Sequence, residues 1–210
     1  VGRGGRFGKY GEHKRVERLR RSKKAGFMRD FKSRPHSKAA HALSSHTPKR
    51  SVRALKVAFR RADSGDLPFI TRLSEQVFSD YGPYDEIVAR WASFPHITTV
   101  VVEEKSLSRG FAMINPMLEA GSFPKAELMA IAVVPEYQRR GIGKMLLRYM
   151  EELARSLGIG EMVIHTATMN RVGQGFFEKN GFIPRGLAVC YYPLGQEAME
   201  MSKTLTMSPR

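Results

Sequence analysis

"VVPEYQRRGIGKMLLRYMEEL", residues 133–153, runs from the end of an apolar segment into a helix. Pro135 closes the apolar run, and Gln138, Arg139, Arg140 and two glycines follow before the apolar spacing changes. From there Ile142, Met145, Leu146, Tyr149, Met150, Leu153 and Leu157 recur at three- and four-residue intervals. That spacing predicts one continuous apolar face on a helix reaching about Leu157. Lys144, Arg148, Glu151, Glu152 and Arg155 fall outside the stripe and are expected to face water. A helix N-terminus offers unpaired amides and a partial positive charge. Placing Arg139 and Arg140 there, and removing side chains at Gly141 and Gly143, makes a cradle for a polyanion. The spacing is not that of a Walker loop. It is not the dinucleotide G-x-G-x-x-G either, because Leu146 stands at the third glycine.

Upstream, "RALKVAFRRA" (53–62) reads as a strand closed by "DSGD". "DLPFITRLSEQVF" (66–78) reads as a helix with Asp66 as N-cap and proline in its first turn. "DEIVARWASF" (85–94) is a second helix, separated from the first by "YGPY". "ITTVVVEE" (97–104) and "RGFAMINPM" (109–117) are successive strands, and "AELMAIAVV" (126–134) is a buried one. Downstream come the strand "EMVIHTAT" (161–168), the short helix "NRVGQGFFEKNGF" (170–182) and the strand "AMEMSKTL" (198–205). Antiparallel strands followed by β-α-β crossovers predict a mixed sheet flanked by helices.

Two of these segments carry a resemblance. "QRRGIG" is similar to the Q/R-x-x-G-x-G/A signature of the GNAT superfamily of acetyl-CoA-dependent N-acetyltransferases, and "NRVGQGFFEKNGF" resembles that family's N-x-x-x-x-x-x-[FY]-[EY]-x-x-G-F segment. The likeness extends from about Val52 to Leu205. It implies an α/β (α+β) fold: a mixed, mostly antiparallel central sheet with flanking helices and splayed central strands. It implies that amides around Arg139, Arg140, Gly141, Ile142, Gly143 and Lys144 hold the diphosphate of acetyl-CoA. By the same resemblance, the backbone of Ile131, Ala132 and Val133 pairs with the pantetheine arm, and Asn170 contacts the cofactor further along.

Acetyl transfer needs a free amine, a polarised thioester and a proton for the leaving thiolate. An α-amine, with a pKa of about 8, is roughly ten per cent free base at neutral pH; a lysine needs about 3.5 kcal/mol more to lose its proton. The resemblance offers two bases: Glu127, where histone-type members carry a glutamate, and His165, where some protein N-terminal acetyltransferases carry a histidine. Phe177 stands where the family often has a tyrosine to protonate the thiolate, which leaves water, Tyr191 or Tyr192 for that task. The paired tyrosines in "CYYPLGQEAMEM" resemble the substrate-side hairpin of protein N-terminal acetyltransferases, including the ribosomal-protein alanine type. Tyr81 and Tyr84, in the loop between the first two helices, are expected at the same mouth as Tyr191. The acceptor is then a protein or peptide amine, with a small-molecule or polyamine acceptor and a non-catalytic ribosome component as the alternatives.

Charge divides the 210-residue chain in two. Of its net +15, residues 1–50 hold 16 Lys and Arg against three acids, while the remainder is almost neutral. This first stretch is rich in Gly and Ser and short of aliphatic residues, a composition that cannot order itself by burial. Arg3, Arg6, Lys14, Arg15, Arg18, Arg20, Arg21, Lys23 and Lys24, interleaved with Phe7, Tyr10, Phe27 and Phe31, suit phosphate contact and base stacking. An extended basic arm binding RNA, at or near the ribosome, is the reading; 51–210 forms the acetyltransferase domain. One cysteine, Cys190, excludes an internal disulfide framework and a cysteine metal cluster. No apolar run is long enough for a membrane span, so no membrane partner is expected. A cytoplasmic setting follows, with the mitochondrial matrix as the alternative for an Arg-rich, acid-poor arm.

Overall fold

Alternating and continuous apolar runs resolve into a seven-stranded sheet with helices on both faces. The computed structural model describes residues 56–117 and 124–206. In chain order these form β1 (Ala58–Arg61), α1 (Leu67–Phe78), α2 (Tyr84–Ala92), β2 (Thr98–Glu104), β3 (Leu107–Met117) and β4 (Lys125–Val133). α3 (Ile142–Ser156), β5 (Glu161–Ala167), α4 (Arg171–Lys179), β6 (Ile183–Ala188) and β7 (Ala198–Thr204) complete them. The basic arm, including every RNA-contact candidate from Arg3 to Lys24, lies outside the described residues.

The strand order is β1-β2-β3-β4-β5-β7-β6, antiparallel everywhere except between β4 and β5. β2 and β3 meet in a two-residue turn, Lys105 and Ser106, both left-handed (φ 53° and 60°), which suits the twist of a hairpin. Val100–Val102 and Phe111–Ile114 are wholly buried because both sheet faces are covered. Val100, Val102, Ala112 and Ile114 pack with α3 and the α4 aromatics, whereas Val101, Phe111 and Met113 pack under α1 and α2.

The feature that makes the site is where β4 and β5 part. They pair only at Lys125↔Glu161, Ala126↔Met162 and Glu127↔Val163. Beyond Glu127, β4 stays with β3 as far as Val133 and β5 stays with β7 as far as Ala167, so the two middle strands diverge. A bulge marks the same place: Met113 faces Ala130 and Ile114 faces Leu128, leaving Met129 as the extra residue. Bulges bend a strand and re-aim its side chains, and this one lies beside the split.

Several expectations shift. β6 is absent from the sequence-based order; it is an edge strand with Pro184 and Gly186 in it and almost all of its residues exposed. Among the described residues the first strand is Ala58–Arg61, which pairs with β2; residues 53–55 of the expected strand lie outside them. Tyr84 opens α2 instead of lying in the preceding loop, and it is buried. The buried stripe of α3 is rotated toward Leu147 and Ala154, while Leu157 is exposed. Glu151 is inside, not in water: Lys203 of β7 reaches Oε1 at 2.6 Å and Arg155 lies 3.4 Å from Oε2. A buried carboxylate needs such partners. Asp66 does not cap α1 through its side chain. It accepts from the Asp63 amide (2.9 Å) and from both terminal nitrogens of Arg60 (2.6 and 2.8 Å), tying β1 to the start of α1. Arg60 thereby holds the Asp66 carboxyl below the usual carboxylate range.

Candidate active site

The space opened by the strand split continues into a cleft of about 820 Å³. One end is built from backbone. After β4, a tight turn at Pro135–Tyr137 leads to Gln138, whose Nε2 donates to the Val133 carbonyl at 3.0 Å. Arg139 and Gly141 both take positive φ (57° and 87°), a costly conformation for arginine that bends the chain into a concavity before α3. The Met145 amide reaches back to the Gly141 carbonyl at 3.0 Å, so the amides of Ile142, Gly143 and Lys144 precede the helical ladder. No side chain caps them. Arg139, Gly141, Gly143 and Lys144 line the cleft, as do Ile131, Val133 and Asn170.

Three further expected cofactor residues turn their side chains away from the cleft, which leaves the backbone of Ile142 and Ala132 as the part the expectation concerns. The Arg140 guanidinium lies 4.8 Å from the Tyr137 ring centroid, beside Arg109 at 4.0 Å from the same ring, and it does not line the cleft. The Ile142 side chain is in the core beneath α3, leaving only its amide for the cradle. Ala132 turns its side chain to the α1–α2 core. Asn170 has a local task as well: its Oδ1 accepts from the Gly173 amide at 2.9 Å and caps α4. A side chain at Gly173 would meet Asn170 at 2.6 Å, so glycine is required there.

The other end is built from side chains. Glu127 on β4 and His165 on β5, separate candidates in the sequence, are bonded to each other, Oε1 to Nδ1, at 2.9 Å. The Tyr191 hydroxyl donates to the same Oε1 at 3.1 Å, and its ring stacks on His165 with centroids 4.4 Å apart. Burial pushes the Glu127 carboxyl up, but the bonds and charge from His165 and the Tyr191 hydroxyl outweigh it and hold the group below its ordinary value. Burial and the neighbouring Glu127 charge push the Tyr191 hydroxyl far up, so it keeps its proton and stays a donor. Burial also raises Tyr192, Tyr84 (to about 12) and Tyr81. The Tyr192 hydroxyl points at the His165 carbonyl at 3.4 Å.

Two loops close this end. Gln196 donates to the Asp80 carbonyl at 2.6 Å, and Tyr81 packs on Tyr192 with centroids 4.9 Å apart. Gly82, at φ 139°, lets Pro193 come so near that a Cβ would sit 2.8 Å from it. Sequence reasoning missed this bolt and also Trp91, whose place in the cleft depends on the way α2 is packed. Phe177 lines the cleft from α4 and carries no proton to give.

An uncapped set of amides flanked by Arg139 and Lys144, with Glu127 the only carboxylate lining the cleft among the described residues, fits a diphosphate. Residues 67–182 match the acetyltransferase (GNAT) family. The chain belongs to that family. As a GNAT protein it is an N-acetyltransferase that draws its acetyl group from acetyl-CoA. Among relatives, a Bacillus subtilis (strain 168) protein provisionally named a ribosomal-protein bS18-alanine N-acetyltransferase is 23% identical over 151 residues, 71% of this chain and 97% of that protein. A spermidine N(1)-acetyltransferase of Thermoplasma acidophilum is 41% identical over 58 residues, 28% of this chain and 36% of that protein. The crystal structure of the ribosomal-protein-S18-alanine N-acetyltransferase from Escherichia coli superposes with a TM-score of 0.62 at 21% identity, over 74% of this chain and 97% of that one. That last likeness is one of fold.

Proposed function

We propose that this GNAT enzyme acetylates a protein N-terminal α-amine, with its basic arm docking on ribosomal RNA. The observation that carries the acceptor class is the charge of the cleft lining, in which Glu127 is the one carboxylate among the described residues. A carboxylate held below its ordinary value is a weak base, so it favours an acceptor that gives up its proton readily. An α-ammonium does so about 2.5 pKa units, or about 3.5 kcal/mol, more easily than a lysine side chain. A polyamine brings several ammonium groups, yet the lining carries one carboxylate, already bonded twice, and three cations, Arg139, Lys144 and Lys179.

In this reading the amides of Ile142, Gly143 and Lys144, with Arg139, hold the diphosphate. The β5-side edge of β4 beyond Glu127, freed by the split, offers backbone partners to the pantetheine arm. Acetyl-CoA supplies the activated acetyl carbon as a thioester. Glu127 takes the proton from the acceptor ammonium, using the oxygen that His165 and Tyr191 leave free. His165 orients that carboxylate, and Tyr191 holds it from the loop side. The protonated Glu127 is then itself an acid, able to return the proton that a leaving thiolate requires. With Glu127 returning that proton no tyrosine at position 177 is needed, and the Tyr192 hydroxyl, pushed up by burial, keeps its proton directed at the His165 carbonyl.

The test is intact-mass analysis of peptides, internal-lysine peptides and spermidine incubated with acetyl-CoA and the full chain. Acetylation confined to α-amines is the expected result; faster turnover of spermidine overturns the reading. For the arm, the names of the ribosomal-protein acetylating relatives and the 16 Lys and Arg of residues 1–50 give support. Co-sedimentation with ribosomes should fall steeply between 50 and 200 mM salt, with affinity dropping roughly 10³–10⁵-fold if six to ten phosphates are contacted. Pelleting that ignores salt sinks the docking role.

A further inference from the structure

Taking the α-amine reading as its base, we propose that the acceptor end selects a large apolar side chain on the first residue of the substrate. This departs from the alanine named for the ribosomal-protein relatives. The observation is a continuous aromatic wall that starts at the base. From Glu127 it passes to Tyr191 through their 3.1 Å bond, then to Tyr192 with centroids 5.1 Å away. Tyr84 follows at 6.1 Å from Tyr192, with Trp91 edge-on at 6.0 Å and Phe78 at 5.6 Å from Tyr84. All of these line the cleft, together with Val77 of α1 and the bulged Met129 of β4.

The two tyrosine hydroxyls nearest the base are already engaged. The Tyr191 hydroxyl donates to Glu127, and that of Tyr192 is directed at the His165 carbonyl. Glu127 is the only lining carboxylate among the described residues, and the lining cations are Arg139 of the loop before α3, Lys144 in the first turn of α3 and Lys179 of α4. A charged first side chain would lose its water here and find no opposite charge that is not already engaged. A methyl group would leave the wall without contacts, because a gap of even a fraction of an ångström forfeits much of the dispersion energy. Leucine, methionine or phenylalanine would be in contact with it. The Gln196–Asp80 and Gly82–Pro193 contacts hold the loops against opening, so the space is not enlarged at will.

The experiment uses the full chain, acetyl-CoA and peptides identical but for the first residue: Leu, Met or Phe against Ala, Ser or Gly, and Lys or Glu. The expected kcat/KM for the large apolar set is at least about tenfold above the small set, the scale at which a pocket discriminates by size. Val77→Trp, which fills the space without removing a buried aromatic, should lower turnover of the large set and narrow the ratio. Trp91→Ala should narrow it by widening the pocket. Equal turnover across the peptides, or preference for Ala or for Lys, overturns the selection while leaving the α-amine reading standing. Peptides of every kind left unmodified beside acetylated spermidine would take both down.

Discussion

The two ends of the cleft are made of different material. The end proposed for the cofactor is backbone: three amides before the α3 ladder, two positive-φ residues and the β5-side edge of β4. Its parts lie within residues 128–144. The end proposed for the acceptor is side chain: Glu127 from β4, His165 from β5, Tyr191 and Tyr192 from the β6–β7 loop, and Tyr84 and Trp91 from α2. Backbone can recognise a diphosphate that is the same in every reaction of the family. Side chains on separate elements can change one at a time, and with them the acceptor. The comparison therefore predicts that changes at one end leave binding at the other alone.

The largest effect should come from Glu127→Gln. It keeps the size of the side chain and the bond to His165 but removes the proton acceptor, so kcat should fall about 10²–10⁴-fold. Acetyl-CoA affinity, measured by calorimetry, should stay unchanged. A variant that also loses the cofactor would break the division between the ends. Next is Gly143→Val. A Cβ at Gly143 meets only ordinary contacts, Phe176 at 3.7 Å and Val133 at 3.8 Å, so Ala should be tolerated. The branches of valine project into the cradle, and the KM for acetyl-CoA should rise about 10²-fold, the scale of a small misplacement of reactants. Acceptor discrimination should not move.

Gly82→Ala acts at the other end and more weakly. The residue sits at φ 139° with Pro193 against it, so an added methyl strains the backbone and pushes the loops apart. The cost should be about 1–3 kcal/mol in unfolding free energy. The acceptor KM should rise with no change in cofactor affinity. A matched rise in both would show that the loops support the whole cleft and not one end.

How much of this the sequence foretold follows the same division. "QRRGIGK" and the helix after it are local, and their amide cradle could be read from spacing alone. The exception is a side-chain direction: Arg140 finds a ring at Tyr137, whereas Ile142 enters the core as its place in the apolar stripe foretold. At the acceptor end Glu127 and His165 were nameable but not their bond, which depends on a parallel pairing of only three residues. The Met129 bulge depends on β3 register, and no run of types announces it. β6 was illegible because an exposed edge strand needs neither alternation nor burial; its partner β7 defines it. Glu151 read as a solvent charge because its partner Lys203 is 52 residues away.

The smallest effect, and the sharpest test of how the acceptor end is tuned, is Tyr191→Phe. The ring keeps its place on His165, and only the hydroxyl bonded to Glu127 is lost. One such bond is worth about 0.5–1.5 kcal/mol, so kcat should change less than about tenfold. The pH profile carries the sign. Tyr191 helps hold the Glu127 carboxyl down, so without it the group titrates at a higher pH and the acid limb of the rate profile moves upward. The stability that the depressed carboxyl contributes is present above its unfolded value and lost as pH falls through its folded one; the variant loses it over a narrower range. His165 still bonds Glu127 in the variant, so the limb should move without disappearing. An acid limb that stays in place would mean that Glu127 is not the group whose ionisation limits the rate, and the base would have to be sought at His165.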